Sequence, residues 1–577
     1  MTGLRATVIC SGGANVFCQA MNCGAGLSTE TILIIGGYGV FGGKLAQALA
    51  WDTRLDVVVA GRDLQRAQAF CDHHGGRALV LDTGSPNLAV DIAAQAPFLV
   101  VDAAGPFQGY GGDPYRVARA AISCGAHYLD LSDDADFTAG IAALEGTAQA
   151  AGVTALSGVS SVPAISSAAV VALTDGMDDI HLIESVILPG NRAPRGLSVM
   201  RAILAQVGRP MRVWRGGAYE TPLGWSEGRG EVLEIDGIAP VRHRRSSLIG
   251  APDLALFPEF FNARSVEFRA GLDLWVMHWG LAAVGWLARL RLMRSAEPLA
   301  GVLKWVADRL EPFGSDRGGM RVRVVGRLSD GRAVRRDWTL IAEAGDGPHI
   351  PAVAARVMCK RLLAGKAKAG ARACLAEFSL GEVESEMADL QVAFGRAETP
   401  VVPLFSQVLG KQFNALPPKV QALHEVLHIR RWQGQARITR GRGMLSRLIC
   451  RIVGFPPAGD GVPVTVTMHR KGDAEHWLRD FGGKRFRSVM TRAGEGAMWE
   501  RFGPFRFEIP FTVQDQRLGY PVRRARLFGV PWPKVLTPKS DAFEGVDADG
   551  RATFDVTVSL PFVGVLVRYQ GWLGDVG

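Results

Sequence analysis

Residues 31 to 46, Thr-Ile-Leu-Ile-Ile-Gly-Gly-Tyr-Gly-Val-Phe-Gly-Gly-Lys-Leu-Ala, lead an apolar strand into a glycine turn and then into a helical pattern. Gly37, Gly39 and Gly42 fit the spacing G-x-G-x-x-G of dinucleotide-binding turns. Glycine suits these positions because the main chain must approach a pyrophosphate that lies at the helix N-terminus. An ordinary strand-turn-helix corner is the alternative. The residues predicted to contact the dinucleotide are Gly36, Gly37, Tyr38, Gly39, Val40, Phe41 and Gly42.

The strand after the first helix indicates which dinucleotide is bound. Residues 55 to 60 read as a buried parallel strand, and Gly61, Arg62 and Asp63 follow it. NAD enzymes usually offer an acidic residue to the ribose hydroxyls at this point. The planar guanidinium of Arg62 suits a 2'-phosphate instead, so the sequence favours NADP over NAD. Asp63 remains a candidate for the ribose, and a solvated surface arginine is the alternative reading of Arg62.

Strands and helices continue to alternate after this point, which predicts an α/β fold with a Rossmann-type, doubly wound parallel sheet. Strand patterns cover residues 78 to 82, 98 to 102 and 127 to 132. Ligands of such sheets bind outside the carboxyl ends of the strands. Three residues in the loops that follow join the predicted cofactor site: Asp82, Ala104 and Gly105.

Catalytic residues are harder to identify. The sequence has no Tyr-x-x-x-Lys pair, no metal-binding helix and no nucleophile elbow, so we predict no metal site. Asp102 and Asp130 are candidates because both fall near the carboxyl ends of strands. Asn191 is a third candidate, in a turn rich in glycine and proline at residues 189 to 196. All three residues have an alternative role in capping turns or helices.

Several motifs together resemble the saccharopine dehydrogenase-like family of NAD(P)-binding proteins. The resemblance covers residues 31 to 170 well and extends weakly to about residue 390. It implies a Rossmann domain, an α+β domain for the substrate, and often a two-electron redox step at a C-N or C=C bond. The family is chemically broad, so the resemblance names no substrate. The motifs are GGYGVFG (36 to 42), AGRD (60 to 63), VVDAAGPFQGYG (100 to 111), GAHYLDLSDD (125 to 134) and GVSSVPAISSAAV (158 to 170).

Composition limits the classes of partner. The chain has 577 residues and a formal net charge of +9. Its basic segments lack interleaved aromatic residues, so we do not expect nucleic acid binding. The eight cysteines form no C-x-x-C pair and no ligand set with histidines, which argues against a zinc site or a disulfide framework. A reducing cytoplasm fits this cysteine pattern, and we expect a small-molecule substrate and a homodimer.

Four segments emerge along the chain. Residues 1 to 30 are expected to be a disordered extension or residues upstream of the true start. Residues 31 to 157 form the predicted dinucleotide-binding domain, and residues 158 to 395 a predicted α+β domain for substrate binding and dimerisation. A helix near 348 to 364 is expected to return to the first domain. Residues 396 to 577 form the remaining segment.

An apolar segment at residues 272 to 288 raises the question of a membrane contact. Arginines follow it up to residue 294. The segment is short for a membrane span and includes Asp273 and His278. We therefore expect a buried or interfacial helix of the second domain, with peripheral contact at the inner face of the membrane as the alternative.

The last segment, residues 396 to 577, shows strand patterns with few helices, which predicts a mainly antiparallel, curved sheet. It resembles a bacterial domain of unknown function found at the C-terminus of saccharopine dehydrogenase-like proteins. The motifs include EHWLRDFGG (475 to 483), ERFGP (500 to 504) and YQGWL (569 to 573). A lined pocket and exposed cross-strand ion pairs both explain the mixed charged and aromatic residues here. These residues are His424, Glu475, Trp477, Arg479, Glu500 and Arg501.

Two function classes follow. The first is an NADP-dependent oxidoreductase that transfers hydride to or from an unidentified small or lipid-like substrate. The second is a non-catalytic dinucleotide-binding or scaffold protein whose C-terminal domain binds a ligand. A missing acid-base signature does not exclude the first, because hydride transfer needs mainly positioning.

Overall fold

The computed structural model describes residues 29–194, 196–293 and 295–575. The expected disordered extension at residues 1–30 lies almost wholly outside the described residues and stays a prediction. Arg195 and Arg294 also lie outside them.

The first region alternates strands and helices, as the sequence predicts. Its strands are short and apolar, and each helix returns the chain to the start of the next parallel strand. The elements are β1 (Glu30–Ile35), α1 (Val40–Leu49), β2 (Leu55–Gly61), α2 (Leu64–His74), β3 (Arg77–Val80), α3 (Leu88–Ala93), β4 (Leu99–Asp102), α4 (Arg116–Ser123), β5 (His127–Asp130), α5 (Ala135–Gly140), α6 (Glu145–Ala150) and β6 (Thr154–Ser157).

The second region mixes long antiparallel strands with helices. Its elements are α7 (Ser166–Leu173), β7 (Met177–Leu188), α8 (Leu197–Gln206), β8 (Val213–Arg215), β9 (Ala218–Glu220), β10 (Arg229–Ile235), β11 (Ile238–Leu248), α9 (Pro252–Phe260), β12 (Val266–Leu272), α10 (Trp275–Arg289), α11 (Ala300–Leu310), β13 (Gly318–Leu328), β14 (Ala333–Ala342), α12 (Ile350–Leu363), β15 (Gly370–Ala373), α13 (Leu380–Glu386) and β16 (Val392–Pro400).

The first sheet is parallel throughout, in the order β15-β6-β5-β4-β1-β2-β3. Both of its faces are covered: Ile32 and Ile34 of β1 enter one apolar core, while Leu33 and Ile35 enter another. The predicted Rossmann-type doubly wound sheet is therefore confirmed.

Two boundaries differ from the expected ones. The sheet takes its edge strand β15 from residues 370–373, far beyond residue 157. The helix expected to return near residues 348 to 364 is α12, and it packs against α1. At the other boundary, β16 pairs with β14 as far as Pro400, five residues past the expected end at 395. The second region is thus tied to the first through α12 and β15.

The second sheet has nine strands, with the main order β10-β11-β12-β7-β13-β14-β16 and with β8 and β9 attached at β12. Only the β12–β7 pair among these is parallel. Its apolar face shares one continuous core with the first sheet, to which Val322 and Trp338 contribute. The α+β character of this region is confirmed.

The third region is one sheet of thirteen strands with a few helices. Its elements are α14 (Leu404–Leu409), α15 (Pro418–His424), β17 (Ile429–Arg440), α16 (Met444–Val453), β18 (Gly459–Lys471), β19 (Ala474–Phe481), β20 (Lys484–Gly494), β21 (Ala497–Phe502), β22 (Phe505–Pro510), β23 (Thr512–Gln514), β24 (Arg517–Gly519), β25 (Arg524–Leu527), β26 (Val530–Pro531), β27 (Lys539–Val546), β28 (Ala552–Leu560) and β29 (Gly564–Asp575). The strands pair antiparallel throughout, in the order β23-β24-β27-β28-β29-β17-β18-β19-β20-β21-β22-β25-β26. Phe405 and Leu423, on two short helices, pack with Trp432 and Trp477 of the sheet in a core of their own. The predicted mainly antiparallel domain is confirmed.

Candidate functional site

The glycine turn lies between β1 and α1, beside the loop that follows β4. Gly36 has φ +76°, and a Cβ there would lie 2.8 Å from the carbonyl oxygen of Ala103. A Cβ on Gly42 would collide with the carbonyl oxygen of Gly36. Only glycine therefore fits at these two positions. A turn without side chains is what allows the main chain to approach a pyrophosphate closely.

The start of α1 offers its backbone amides to a ligand. Its N-cap is Gly39, which has no side chain to accept a hydrogen bond from the first turn. The amides of Val40, Phe41 and Gly42 have no carbonyl partner within the helix, as at the start of any α-helix. The partial positive charge of a helix N-terminus favours an anion at this point.

Tyr38 shapes the next part of the site, beyond the glycine turn. Its ring packs over Gly61, where a Cβ would lie 2.5 Å from the hydroxyl oxygen. The same oxygen accepts a hydrogen bond from the amide of Asp63 at 3.1 Å. The guanidinium of Arg66 lies 5.0 Å from the centre of the ring. Tyr38 therefore connects the glycine turn to the loop between β2 and α2.

Arg62 of that loop and Arg66 in the first turn of α2 are both exposed. Asp63, the acidic alternative, is the N-cap of α2, and its Oδ1 accepts a hydrogen bond from the amide of Arg66 at 3.1 Å. The sequence interpretation missed Arg66. Its spacing of four residues from Arg62 across a helix start was the signal that would have identified it.

The other predicted cofactor residues are not equally close to the turn. The loop after β4 adjoins Gly36, and the amide of Ala104 in it donates to Oδ1 of Asp102 at 3.0 Å. Gly105 follows in the same loop. Asp82 follows the edge strand β3, and its exposed carboxylate accepts a hydrogen bond from the amide of Gly84 at 2.9 Å.

Asp102 and Asp130 lie opposite each other at the ends of β4 and β5, and both are fully buried. Asp102 accepts hydrogen bonds from the hydroxyl of Tyr110, 2.9 Å from each carboxylate oxygen. Burial raises the pKa of Asp102 to about 6, against the lowering effect of hydrogen bonds from Ala104 and Tyr110. The structure thus brings together two of the three predicted catalytic candidates.

Asp130 organises the loops after β5 and β6. Its Oδ1 accepts from the amide of Ser132 at 3.0 Å, the hydroxyl of Ser157 at 2.9 Å and the amide of Gly158 at 2.8 Å. Burial raises the pKa of Asp130 to about 7. Its Oδ2 is buried without a hydrogen-bond partner among the described residues. Both carboxyls can hold a proton near neutral pH, and both fix the loops at the edge of the site.

Asn191 lies in the second region, in a loop whose far end reaches α1. Its side-chain nitrogen donates to the carbonyl oxygens of Leu310 at 2.7 Å and Glu311 at 3.3 Å, beyond the end of α11. At the far end of the loop, a Cβ on Gly196 would lie 3.7 Å from Cγ2 of Val40. The loop therefore borders the glycine turn, while the amide of Asn191 fastens it to α11.

Charged and aromatic side chains of the third region meet around His424. Its Nε2 lies 2.5 Å from Oε2 of Glu544, and its ring stacks on Phe405 with centroids 3.9 Å apart. Glu475 accepts a hydrogen bond from Trp477 at 3.1 Å, and burial raises the pKa of Glu475 to about 7. Three of the six residues predicted to line a pocket thus belong to a buried, filled cluster.

The other three predicted pocket residues lie on β19 and β21. Arg479 pairs with Glu500 at 3.2 Å and packs over Trp477, with its guanidinium 4.5 Å from the ring centre. Arg501 is exposed. Glu544 and Tyr520, which the sequence interpretation missed, complete the His424 cluster, because the hydroxyl of Tyr520 donates to Glu544 at 2.8 Å. Their distance from His424 along the chain hid them.

Two family models match the chain, one at each end. Residues 32–156 match the saccharopine dehydrogenase NADP binding domain, and residues 416–573 match a domain of unknown function, DUF4166. Both resemblances noted in the sequence are confirmed. The first match supports a nicotinamide dinucleotide-binding domain of the oxidoreductase type, whose substrate is unknown.

Solved structures similar to the chain include several dehydrogenases. Apo saccharopine dehydrogenase (L-Glu forming) from Saccharomyces cerevisiae is 16% identical, with 64% of this chain and 100% of that chain covered and a TM-score of 0.46. GenD2 from gentamicin A biosynthesis, in complex with NAD, is 12% identical, with 68% and 100% covered and a TM-score of 0.30. No curated protein matches the chain.

Proposed function

We propose that this protein is an NADP-dependent oxidoreductase that transfers hydride between the nicotinamide and a small or lipid-like substrate. The observation that carries the proposal is the glycine turn at the β1/β4 switch point, where strand order reverses and ligands of doubly wound sheets bind. A side chain on Gly36 or Gly42 would collide with backbone atoms of the turn or of the loop after β4, so the turn keeps its shape only with glycine at these positions. When bound, NADP supplies the hydride donor or acceptor at its nicotinamide ring.

The loop after β2 supports NADP over NAD. In an NAD site an acidic side chain at this loop binds the ribose hydroxyls, but the carboxylate of Asp63 already caps α2. Arg62 and Arg66 are exposed on either side of that cap, near the N-terminus of α2. Two guanidiniums and a helix N-terminus are suited to the charge of a 2'-phosphate.

The substrate is expected at the nicotinamide end of the site. The loops after β4, β5 and β6 border one side, positioned by Asp102 and Asp130, and the loop at residues 189–196 borders the other. Residues 158–400 thus act as the substrate domain, a role for which the contact between Gly196 and Val40 is the support. A homodimer and a cytoplasmic location stay predictions.

Binding and turnover test the proposal separately. NADPH and NADH are titrated into the full chain, and the loss of reduced nicotinamide absorbance is then followed with carbonyl, imine and enoyl compounds. Tight NADPH binding with turnover of one class supports the proposal. Absence of NADPH binding overturns it.

The second candidate is a non-catalytic dinucleotide-binding or scaffold protein. It is favoured by the hydrogen bonding of Asp102 and Asp130, whose carboxylates are already used within the loops that they position. NADPH binding without turnover across all three compound classes would support this candidate.

A further inference from the structure

Helix α10 turns its polar residues into the protein. His278 is buried, and its Nε2 lies 3.2 Å from the hydroxyl of Ser247. Asp273, just before the helix, accepts hydrogen bonds from the amides of Asn191 at 3.2 Å and Ser315 at 2.7 Å. The two polar residues that argued against a membrane span therefore face the second domain.

The exposed side of α10 carries tryptophans. Trp275, Trp279 and Trp286 are four and seven residues apart, which places them along one side of a helix with 3.6 residues per turn. Trp305 of α11 is a fourth. Their exposed fractions are 69% for Trp275, 53% for Trp279, 60% for Trp286 and 59% for Trp305. Taking ~200 Å² for each side chain, the four expose roughly 500 Å² of aromatic surface.

Helices α10 and α11 pack on the same small apolar cluster, and exposed side chains of both helices make up the proposed surface. Leu281 and Val284 of α10 and Leu303 of α11 pack together around the buried Leu204 of α8. Exposed aliphatic and aromatic residues extend the surface. We call it the tryptophan face and define it as Trp275, Val276, Trp279, Trp286, Leu290, Leu292, Val302, Trp305 and Phe313.

Arginines flank the tryptophan face. Arg289, Arg291 and Arg309 are exposed, and none has an ion-pair partner within residues 29–194, 196–293 and 295–575. Arg309 lies 5.1 Å from the ring centre of Trp305. Among nearby carboxylates, Asp308 is paired with Lys304, while Glu297 and Glu311 are exposed. An apolar face with unpaired arginines at its edge complements an anionic lipid surface.

We propose that the tryptophan face binds the surface of an anionic lipid bilayer. Tryptophan prefers the boundary between headgroups and acyl chains, and arginine pairs with lipid phosphates while its stem stays in apolar contact. No described helix has the length and apolar character needed to cross a bilayer, so α10 would lie in the plane of the surface. A second copy of the chain is less suited, because a two-fold contact would place like-charged arginine edges close together.

Helix α16 in the third domain also turns polar side chains inward and apolar side chains outward. Ser446 and Cys450 face the sheet, where their side chains donate to the carbonyl oxygens of Val565 and Leu566. Leu448 and Ile452 point outward, with exposed fractions of 55% and 76%. Helix α16 is thus a second candidate for lipid contact, and the test must distinguish it from the tryptophan face.

Flotation with vesicles tests the proposal on the full chain. Vesicles of phosphatidylcholine alone are compared with an equimolar mixture of phosphatidylcholine and phosphatidylglycerol. The wild type is expected to float with the mixed vesicles, and added salt should weaken the binding. The variant W275S/W279S/W286S should bind about tenfold more weakly or worse. The matched control is Trp51→Ser, because Trp51 is 82% exposed but lies at the far end of α1.

Four outcomes decide the matter. Loss of binding in the triple variant, with W51S unchanged, supports the proposal. A wild type that never floats with mixed vesicles overturns it. So does a triple variant that binds normally while L448S/I452S does not, since α16 would then be the contact. A dimer that the triple variant converts to monomer, without vesicle binding, assigns the face to a second copy. Unchanged NADPH affinity and circular dichroism show that each variant folds, and no outcome depends on turnover.

Discussion

A methyl group on Gly42 would collide with the carbonyl oxygen of Gly36, which is backbone and cannot move aside without opening the turn. We therefore expect Gly42→Ala to weaken NADPH binding about tenfold or more, because the first-turn amides of α1 would no longer converge on the pyrophosphate. Fluorescence titration of NADPH measures the loss.

The matched control for that variant is Gly146→Ala. Gly146 is also helical, but a Cβ there meets no atom within 4 Å. It should bind NADPH as the wild type does. A folded Gly42→Ala protein of unchanged affinity would contradict the assignment of the phosphate site.

We expect Arg62 and Arg66 to favour binding of NADPH over NADH, because only NADPH carries the 2'-phosphate. Replacing both with alanine should weaken NADPH about tenfold or more while leaving NADH within about twofold, since charge-assisted pairs to phosphate are lost in one case only. Titration of both cofactors into the same variant makes NADH the control. An equal loss for the two cofactors would mean that these arginines do not contact the 2'-phosphate.

At the scale of elements, β4, β5 and β6 end in loops held by two buried carboxyls, so their hydrogen bonding should depend on pH. The pKa of Asp130 rises from 3.8 to about 7 on folding because the carboxyl is buried. Between these values the unfolded chain has lost the proton that the folded chain keeps. The free energy of unfolding therefore falls as pH rises from about 4 to 7, by at most roughly 4 kcal/mol for this group.

Asp130→Asn tests that dependence. Asparagine keeps an oxygen that accepts from Ser132, Ser157 and Gly158, but it does not titrate. Relative to the wild type, this variant should gain stability as pH rises from 5 to 8, because the wild type loses stability up to about pH 7 and the variant does not. Urea unfolding across this range measures it, with the exposed Asp136→Asn as control. A constant difference between variant and wild type would show that Asp130 is ionised throughout.

The sequence predicts those elements whose contacts are local along the chain, and it misses those that depend on distant residues. β1 and β2 are apolar runs buried on both faces, and their pattern alone predicted parallel strands. β15, a four-residue Gly-Ala-Arg-Ala strand, pairs with β6 across more than two hundred residues of chain, and no periodicity encodes that pairing. The same applies to β27 and β29, whose polar and glycine-containing sequences become strands through their neighbours.

The candidate site shows the same division. The glycine turn was predictable because one short motif determines it, whereas the role of Arg62 stays a prediction. The amide of Asn191 instead serves the end of α11, a contact between residues 119 positions apart. The orientation of α10 was also hidden, because the buried partners of its polar side lie on β11 and in the loop after α11.

For the whole molecule, the separate cores imply that the chain unfolds in two parts. The first two sheets share one core, whereas the third sheet and its two helices enclose another. Between them lie ion pairs such as Arg431–Glu220 at 2.8 Å and Arg327–Glu425 at 3.0 Å, with a small apolar cluster around Leu427. Partly exposed ion pairs contribute little, so coupling between the two parts should be weak.

We therefore expect two transitions in calorimetry, one for residues 30–400 and one for the remainder. Saturating NADPH should raise the midpoint temperature of the first transition only, because the ligand binds only that folded unit.

Phe405→Ala should lower the midpoint temperature of the second transition only. It should cost the C-terminal part about 3–5 kcal/mol in its free energy of unfolding, since the ring is fully buried in the C-terminal core. Phe257→Ala is the matched variant, because its equally buried ring lies in the first core. This substitution should lower the midpoint temperature of the first transition only. If NADPH raised the midpoint temperatures of both transitions together, the two cores would form one cooperative unit. The third domain would then be energetically coupled to the dinucleotide site.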